Sequence, residues 1–132
     1  MPRSRCLWVY SANPVNTHTD THAWTDTIIP AMDYVVVADS VMTDTAKYAD
    51  MVLPIAQWFE LEEVSNAGQT SSLNYNEKAI DPLYESKPDP QIVSELAQKL
   101  GLGDYFSLDN GGILKEMMDT PIGARSGRLW RI

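Results

Sequence analysis

The sequence predicts an α/β fold in which a short, mostly parallel sheet lies between helices. Three short runs of strand formers, Cys6 to Tyr10, Tyr34 to Ala38 and Met51 to Leu53, supply the strands. The second contains an unbroken Val35-Val36-Val37, the pattern of a strand covered on both faces, as parallel strands are. Between the first two runs, apolar residues at helical spacing complete a strand, helix and strand unit of about thirty residues, whose crossover is expected to be right-handed.

In chain order, the first strand closes on Ser11-Ala12-Asn13-Pro14, a loop signal. The polar stretch Val15 to His22 then leads to Ala23-Trp24, Ile28-Ile29 and Met32, which share one helical face. A helix is expected over about Thr21 to Met32, with Asp20 or Thr21 as N-cap and Pro30 distorting its last turn. After the second strand, Thr43 or Asp44 caps a short helix through Ala49. Met51 to Leu53 forms the third strand, stopped by Pro54, which has no N–H to give a central ladder. From Ile55 to Ser86 the chain is polar and loop-rich, with at most a short hairpin around Ser72 to Tyr75 and Lys78 to Ile80. Such a segment suits a functional loop or interface better than a core. Regularity returns at Asp89-Pro90, read as N-cap and N1 of a helix carrying Ile92, Val93, Leu96, Ala97 and Leu100, with Gly101 as its C′ stop. A weaker helix, Gly112 to Met118, and a frayed tail, Gly123 to Ile132, follow.

At 132 residues and 44% hydrophobic, the chain can bury one ordinary core, so one domain or a piece of one is expected. Its formal net charge of -8 repels polyphosphate, and the ten Lys and Arg make no stripe, which argues against nucleic acid as a partner. Cys6 is the only cysteine, so no internal disulfide, thiolate zinc site or iron–sulfur cluster can be built from this chain alone. CLWVY is too short for the apolar core of a signal peptide, and no apolar run approaches the roughly 20 residues that span a bilayer. The expectation is a soluble segment without membrane contact. Neither GxxxxGK[ST] nor GxGxxG occurs, so ordinary nucleoside triphosphate or NAD binding lacks its fingerprint.

In open α/β sheets ligands bind beyond the carboxyl ends of the strands, so Asp39 and the loop Ser40 to Thr45 stand where a ligand would be held. Other chemistry-bearing residues read more plainly. His18 and His22 are four apart, but nothing beyond Asp20 and Asp26 joins them as a third ligand, so they read as a solvated pair. Cys6 reads as a small core residue. Glu60, Glu62 and Glu63 read as a hydrated face and Trp58-Phe59 as packing.

Tyr34 to Pro54, YVVVADSVMTDTAKYADMVLP, resembles a signature of the molybdopterin oxidoreductases of the dimethyl sulfoxide reductase type. In that signature a strand ending in Asp is followed by a Thr-x-Thr-Ala turn and an Ala-Asp-x-x-Leu-Pro strand. The likeness extends over roughly Cys6 to Leu100. It implies a partial Rossmann-like, three-layer αβα domain over 1–132 with its core in 6–100. It also implies a role in binding one guanosine diphosphate arm of molybdopterin guanine dinucleotide, which holds molybdenum or tungsten in the parent enzyme. The remaining domains of that parent would be the partners, and the isolated piece would be inactive and self-associating. Parents of this type, in prokaryotic anaerobic respiration, work in the cytoplasm or after export.

Position by position, the resemblance makes Asn13 the turn residue near the nucleotide and Asp39 the guanine- or ribose-side carboxylate. It makes Thr43 the hydroxyl of the following turn and Asp89 the carboxylate before the long helix. Guanine offers two parallel donors, N1–H and the amine, that a carboxylate can accept together and that adenine cannot copy. Each residue also has a local reading: Asp39 and Thr43 as caps, Asp89 as the cap before Pro90, Asn13 as a loop former. No catalytic residue and no metal ligand is expected here. After the Leu-Pro strand many relatives carry an acidic-Gly pair and Asn-x-Glu-Gly-Arg, where this chain has Trp58 to Val64 and then Asn66-Ala67-Gly68-Gln69, and Leu61 stands where some place a basic residue. The readings left open are a stand-alone nucleotide-binding module and a partner-binding domain without a ligand.

Overall fold

Three parallel strands in the order β1-β2-β3 form the sheet of the computed structural model: β1 (Cys6–Tyr10), β2 (Tyr34–Asp39) and β3 (Met51–Pro54). The structure describes residues 5–65, 74–106, 112 and 115, in two compact units divided after Ile55. In the first unit β1 and β2 pair from Cys6↔Tyr34 to Tyr10↔Ala38, and β2 and β3 from Val36↔Met51 to Asp39↔Pro54. Asp50 pins the second register. Its N–H donates to the Val35 carbonyl at 2.9 Å, and its Oδ2 accepts the Val35 N–H at 2.7 Å. The third strand runs one residue past its expected stop: Pro54 closes β3, and the Ile55 N–H reaches the Asp39 carbonyl at 3.3 Å. Proline is tolerated there because β3 is an edge of this sheet and the donor to Asp39 is the next residue, Ile55.

Right-handed crossovers that step β1 to β2 to β3 in one direction lie on the same face of a sheet. The core is built accordingly: Val9, Val35 and Val37 point to one face and pack with Val15, Ile29 and Ala46 from the crossovers, flanked by Leu7, Trp24, Met32, Ala49 and Val52. Residues of opposite parity take the other face. There Val36 and Ala38 of the central strand are buried, while Trp8, Tyr10, Tyr34 and Met51 are exposed. Cys6 has the parity of Trp8 and is exposed, so its expected place in the core is corrected. The parity of a strand residue is legible in sequence, but which parity faces the crossovers is not.

The first crossover contains a helical turn, α1 (Pro14–Thr17), where only a polar stretch was expected. Four residues are too few to show a period. Pro14 opens it at a position where its missing N–H costs nothing, and the Asn13 carbonyl accepts Asn16 and Thr17 N–H at 3.0 and 2.8 Å. The helix expected over Thr21 to Met32 is present but irregular, a π-helical segment Ala23–Ile28 followed by a 3₁₀ turn Ile29–Ala31. Asp20 caps it, its Oδ1 accepting the Ala23 N–H at 2.9 Å. The Ile29 N–H reaches back five residues to Trp24, and Pro30 supplies no donor to the next carbonyl, so the pitch widens and then tightens.

The second unit opens with a 3₁₀ turn, Trp58–Glu60, closed by a capping box in which the Gln57 N–H donates to Glu60 Oε2 at 2.9 Å. Glu60 is buried, which corrects its reading as part of a hydrated face. Trp58 and Phe59 are exposed, which corrects their reading as packing. The hairpin is antiparallel β4 (Glu63–Ser65) with β5 (Asn74–Asn76), in register Glu63↔Asn76 to Ser65↔Asn74. Its second strand falls within the expected region, but its partner precedes it. Lys78 to Ile80 does not pair, because the Ala79 and Ile80 N–H groups instead meet the Phe59 carbonyl. The long helix, α2 (Asp89–Lys99), starts one residue earlier in its capping frame than expected: Pro88 is the N-cap, so Asp89 is the first helical residue and Pro90 the second. It ends as expected at Gly101, whose φ is +75°. Leu102 N–H donates to Ala97 O and Gly101 N–H to Gln98 O, the paired bonds of a Schellman motif. Gly112 and Lys115 are helical, and the rest of Gly112 to Met118, with the tail Gly123 to Ile132, lies outside the described residues. No helix among the described residues is long and apolar enough to cross a membrane.

Candidate functional site

The turns that leave β1 and β2 meet at the carboxyl edge of the sheet. Ser11 takes a left-handed conformation, φ +44°, and its N–H donates to the Ala38 carbonyl at 3.0 Å, which bends the chain toward β2 as it leaves β1. Asn13 then lies against the β2 turn. Its Oδ1 accepts two hydrogen bonds from Thr45, from the N–H at 3.1 Å and from the hydroxyl at 2.8 Å, and Thr45 Oγ1 in turn accepts the Val15 N–H at 3.1 Å. Thr45 is 0% exposed. A buried hydroxyl with both its donor and acceptor roles filled costs little to bury and ties the two turns together.

Asp39 is half-buried at the end of the central strand, and its Oδ1 accepts the N–H of Ser40 at 2.8 Å. This local bond fixes the side chain without exhausting it, because a carboxylate has about four acceptor positions. The loop that follows exposes Val41 and Met42. Thr43 Oγ1 accepts the Ala46 N–H at 3.2 Å, so Thr43 caps the bend that leads into the 3₁₀ turn Ala46–Tyr48, whose own N-cap position, Thr45, makes no side-chain cap bond. Lys47 on that turn donates to Asp44 at 2.7 Å, and the bond, with the Asp44 charge, raises the lysine above its usual range.

Asp89 belongs to the second unit. It is half-buried in the first turn of α2, where the helix dipole favours a carboxylate, yet its Oδ1 is a buried atom without a hydrogen-bond partner among the described residues. Buried acceptors of this kind are uncommon, and each asks for a donor. Asn13, Asp39 and Thr43 thus share one edge of one unit, with Asn13 joined to the Thr43 turn through Thr45. Thr45 is the residue that reading the sequence missed: capping preference pointed to Thr43, and nothing local marks a contact across 32 positions.

The histidines take local roles. His22 pairs with Asp26 at 3.2 Å, and His18 Nδ1 accepts the Trp24 indole N–H at 3.1 Å while packing edge-on to its ring. The Thr25 hydroxyl, and to a lesser degree His22, hold Asp26 below the usual aspartate range. No group of three or more His, Cys, Asp or Glu able to hold a metal is present among the described residues. The arrangement at the sheet edge suits holding a ligand with fixed acceptors and donors.

A family model described as molybdopterin oxidoreductase matches residues 2–99 of the chain. A Halobacterium salinarum protein assigned as a dimethyl sulfoxide reductase catalytic chain is 39% identical over 99 residues, 75% of this chain and 12% of its own length. The alpha chain of F420-dependent formate dehydrogenase 1 from Methanococcus maripaludis is 32% identical over 105 residues, 80% of this chain and 15% of its own. Among solved structures, acetylene hydratase from Pelobacter acetylenicus superposes with a TM-score of 0.71 and 26% identity, over 78% of this chain and 14% of that one. The chain therefore spans about an eighth to a seventh of the length of these proteins.

Proposed function

The chain belongs to the molybdopterin oxidoreductase family, of the dimethyl sulfoxide reductase type, and from this premise we propose that it grips the guanosine diphosphate arm of molybdopterin guanine dinucleotide within a larger enzyme. The observation that carries the reading is Asp39. Its carboxylate stands at the carboxyl end of the central strand, oriented by the Ser40 N–H and with acceptor positions to spare. Those positions suit the paired N1–H and amine of guanine, or a ribose hydroxyl. Asn13 brings an amide to the same edge, and the Thr43 hydroxyl stands on the next turn. In the second unit, the orphaned Oδ1 of Asp89 suits a further ligand donor. The residues therefore fit the group.

When bound, the molybdopterin and its molybdenum or tungsten supply the two-electron chemistry. This chain's part is to bind and orient, and the metal ligand and substrate pocket lie with the parent's other domains, its partners. The structural neighbour is named as a hydratase and the sequence relatives as a reductase and a dehydrogenase. A shared grip on the cofactor with different reactions is what a binding unit would give.

The test is a titration of the chain with GDP and with ADP, followed by NMR at the amides of Ser40 and Thr43. GDP should shift them and ADP should not. Asp39→Asn turns one acceptor into a donor facing a donor, a loss of about 1.5–3 kcal/mol for a charged hydrogen bond. Guanine affinity should fall roughly 10- to 150-fold. Equal response to both nucleotides, or an unchanged GDP response in Asp39→Asn, would reduce Asp39 to a turn cap.

A further inference from the structure

We propose that Thr45 is the positioning residue of this site, and that by locking the Asn13 carboxamide it makes Asn13 a donor to the diphosphate rather than a contact to the base. The inference rests on the reading that a guanosine diphosphate arm is held at this edge. Two physical points carry it. A side-chain amide can usually be turned end for end, but here its orientation is settled by its neighbour: the Thr45 N–H can only donate, so the atom of Asn13 that lies 3.1 Å from it must be the oxygen. With the oxygen so placed, the Thr45 hydroxyl donates to it as well, at 2.8 Å, while accepting the Val15 N–H. A flipped Asn13 would set two N–H donors against one another, against a Thr45 that is itself fully buried. With Oδ1 committed to Thr45, the Nδ2 group is the end that a ligand can meet, and it offers only donors.

Donors and acceptors at the sheet edge are thereby divided. Asp39 presents acceptors, which suit the N–H and O–H groups of guanosine, whereas Asn13 presents donors, which suit phosphate oxygens. Val15 N–H and the first turn of α1 are held in the same network, so the clamp sets the path of the chain on both sides of Asn13. Thr45 touches no ligand in this scheme. It acts through Asn13, and its hydroxyl is the part that matters.

The experiment uses the 132-residue chain, with GDP, guanosine and pyrophosphate as separate probes, read by NMR shifts at Asn13, Ser40 and Thr43. Asn13→Asp keeps the acceptor that Thr45 requires but replaces the donor end with a negative oxygen. It should stay folded, lose the pyrophosphate response and weaken GDP binding at least about tenfold, while the guanosine response persists. Thr45→Ser retains the hydroxyl and should bind GDP within about threefold of the parent. Thr45→Val should weaken GDP about tenfold, a loss of roughly one charged hydrogen bond. If Thr45→Val does not fold, Asn13→Asp and Thr45→Ser still decide the matter. The inference is overturned if Asn13→Asp binds pyrophosphate and GDP as the parent does, if Thr45→Ser loses GDP binding despite its hydroxyl, or if folded Thr45→Val keeps full affinity. A parent chain that responds to neither guanosine nor GDP overturns the underlying reading as well. Response to guanosine with none to pyrophosphate overturns the division of roles alone.

Discussion

Replacing Thr45 with valine removes one hydroxyl and leaves the volume of the side chain almost unchanged, so it isolates the value of the clamp. Two interactions disappear, the acceptor for the Val15 N–H and the donor to Asn13 Oδ1. The first leaves a buried N–H without a partner, at a cost of about 1–3 kcal/mol; the second removes one of two donors to Asn13, about 0.5–1.5 kcal/mol. Exchanging hydroxyl for methyl at a fully buried position works the other way, by about 0.8 kcal/mol. The net expectation is a loss of about 2 kcal/mol, and the sign is the informative part, because burial of apolar area alone would stabilise the variant. Urea unfolding followed by the fluorescence of Trp8 and Trp24, both in the first unit, reads it. With a slope of about 1–3 kcal/mol/M the midpoint should fall by roughly 1 M. Thr45→Ser keeps both hydrogen bonds and should lose only about 1 kcal/mol for its missing methyl. A Thr45→Val chain as stable as the parent would refute the clamp.

Other expectations follow from single positions. Ser11, at φ +44°, carries a left-handed strain that a β-branched residue would feel more, so Ser11→Val should destabilise by about 1–2 kcal/mol while Ser11→Gly should not, as thermal unfolding would register. At Gly101 an added Cβ meets open space, so Gly101→Ala should cost only the backbone strain of φ +75°, about 1 kcal/mol; a loss several times larger would mean that packing is involved. Lys87, foremost, and Gln91 donate to Glu95 and hold its carboxyl below the usual glutamate range. Because the folded value is the lower one, this contribution is present at neutral pH and fades as pH falls through and below the ordinary carboxylate range. Glu95→Gln should therefore flatten the acid limb of the stability profile, and an unaltered limb would show the pair to be inert. Trp8, Tyr34 and Met51, one on each strand, share an exposed sheet face, so the chain should self-associate at micromolar concentration, and a compact monomer in sedimentation would contradict this.

Features that depend on neighbours a few residues apart were legible in the chain. The three strands could be read from β-branched runs, the caps at Asp20 and Thr43 from side chains three residues ahead of the N–H they accept, and the end of α2 from a glycine that tolerates positive φ. The resemblance around Asp39 was legible for the same reason, as one unbroken segment with a fixed order of residue types. The frame of α2 was not: Asp89-Pro90 has the composition of a cap pair, but Pro88 takes the N-cap and leaves Asp89 Oδ1 inside without a partner among the described residues. Tertiary structure alone decided the rest. Cys6 is exposed because the crossovers occupy the other face, and Glu60 is buried because it closes a turn back onto Gln57. β5 pairs with a strand that precedes it rather than with Lys78 to Ile80. Thr45 meets Asn13 across 32 residues because two parallel strands end side by side, and a hydrogen bond that forms only when two distant turns are brought together leaves no periodicity or spacing in the chain to announce it.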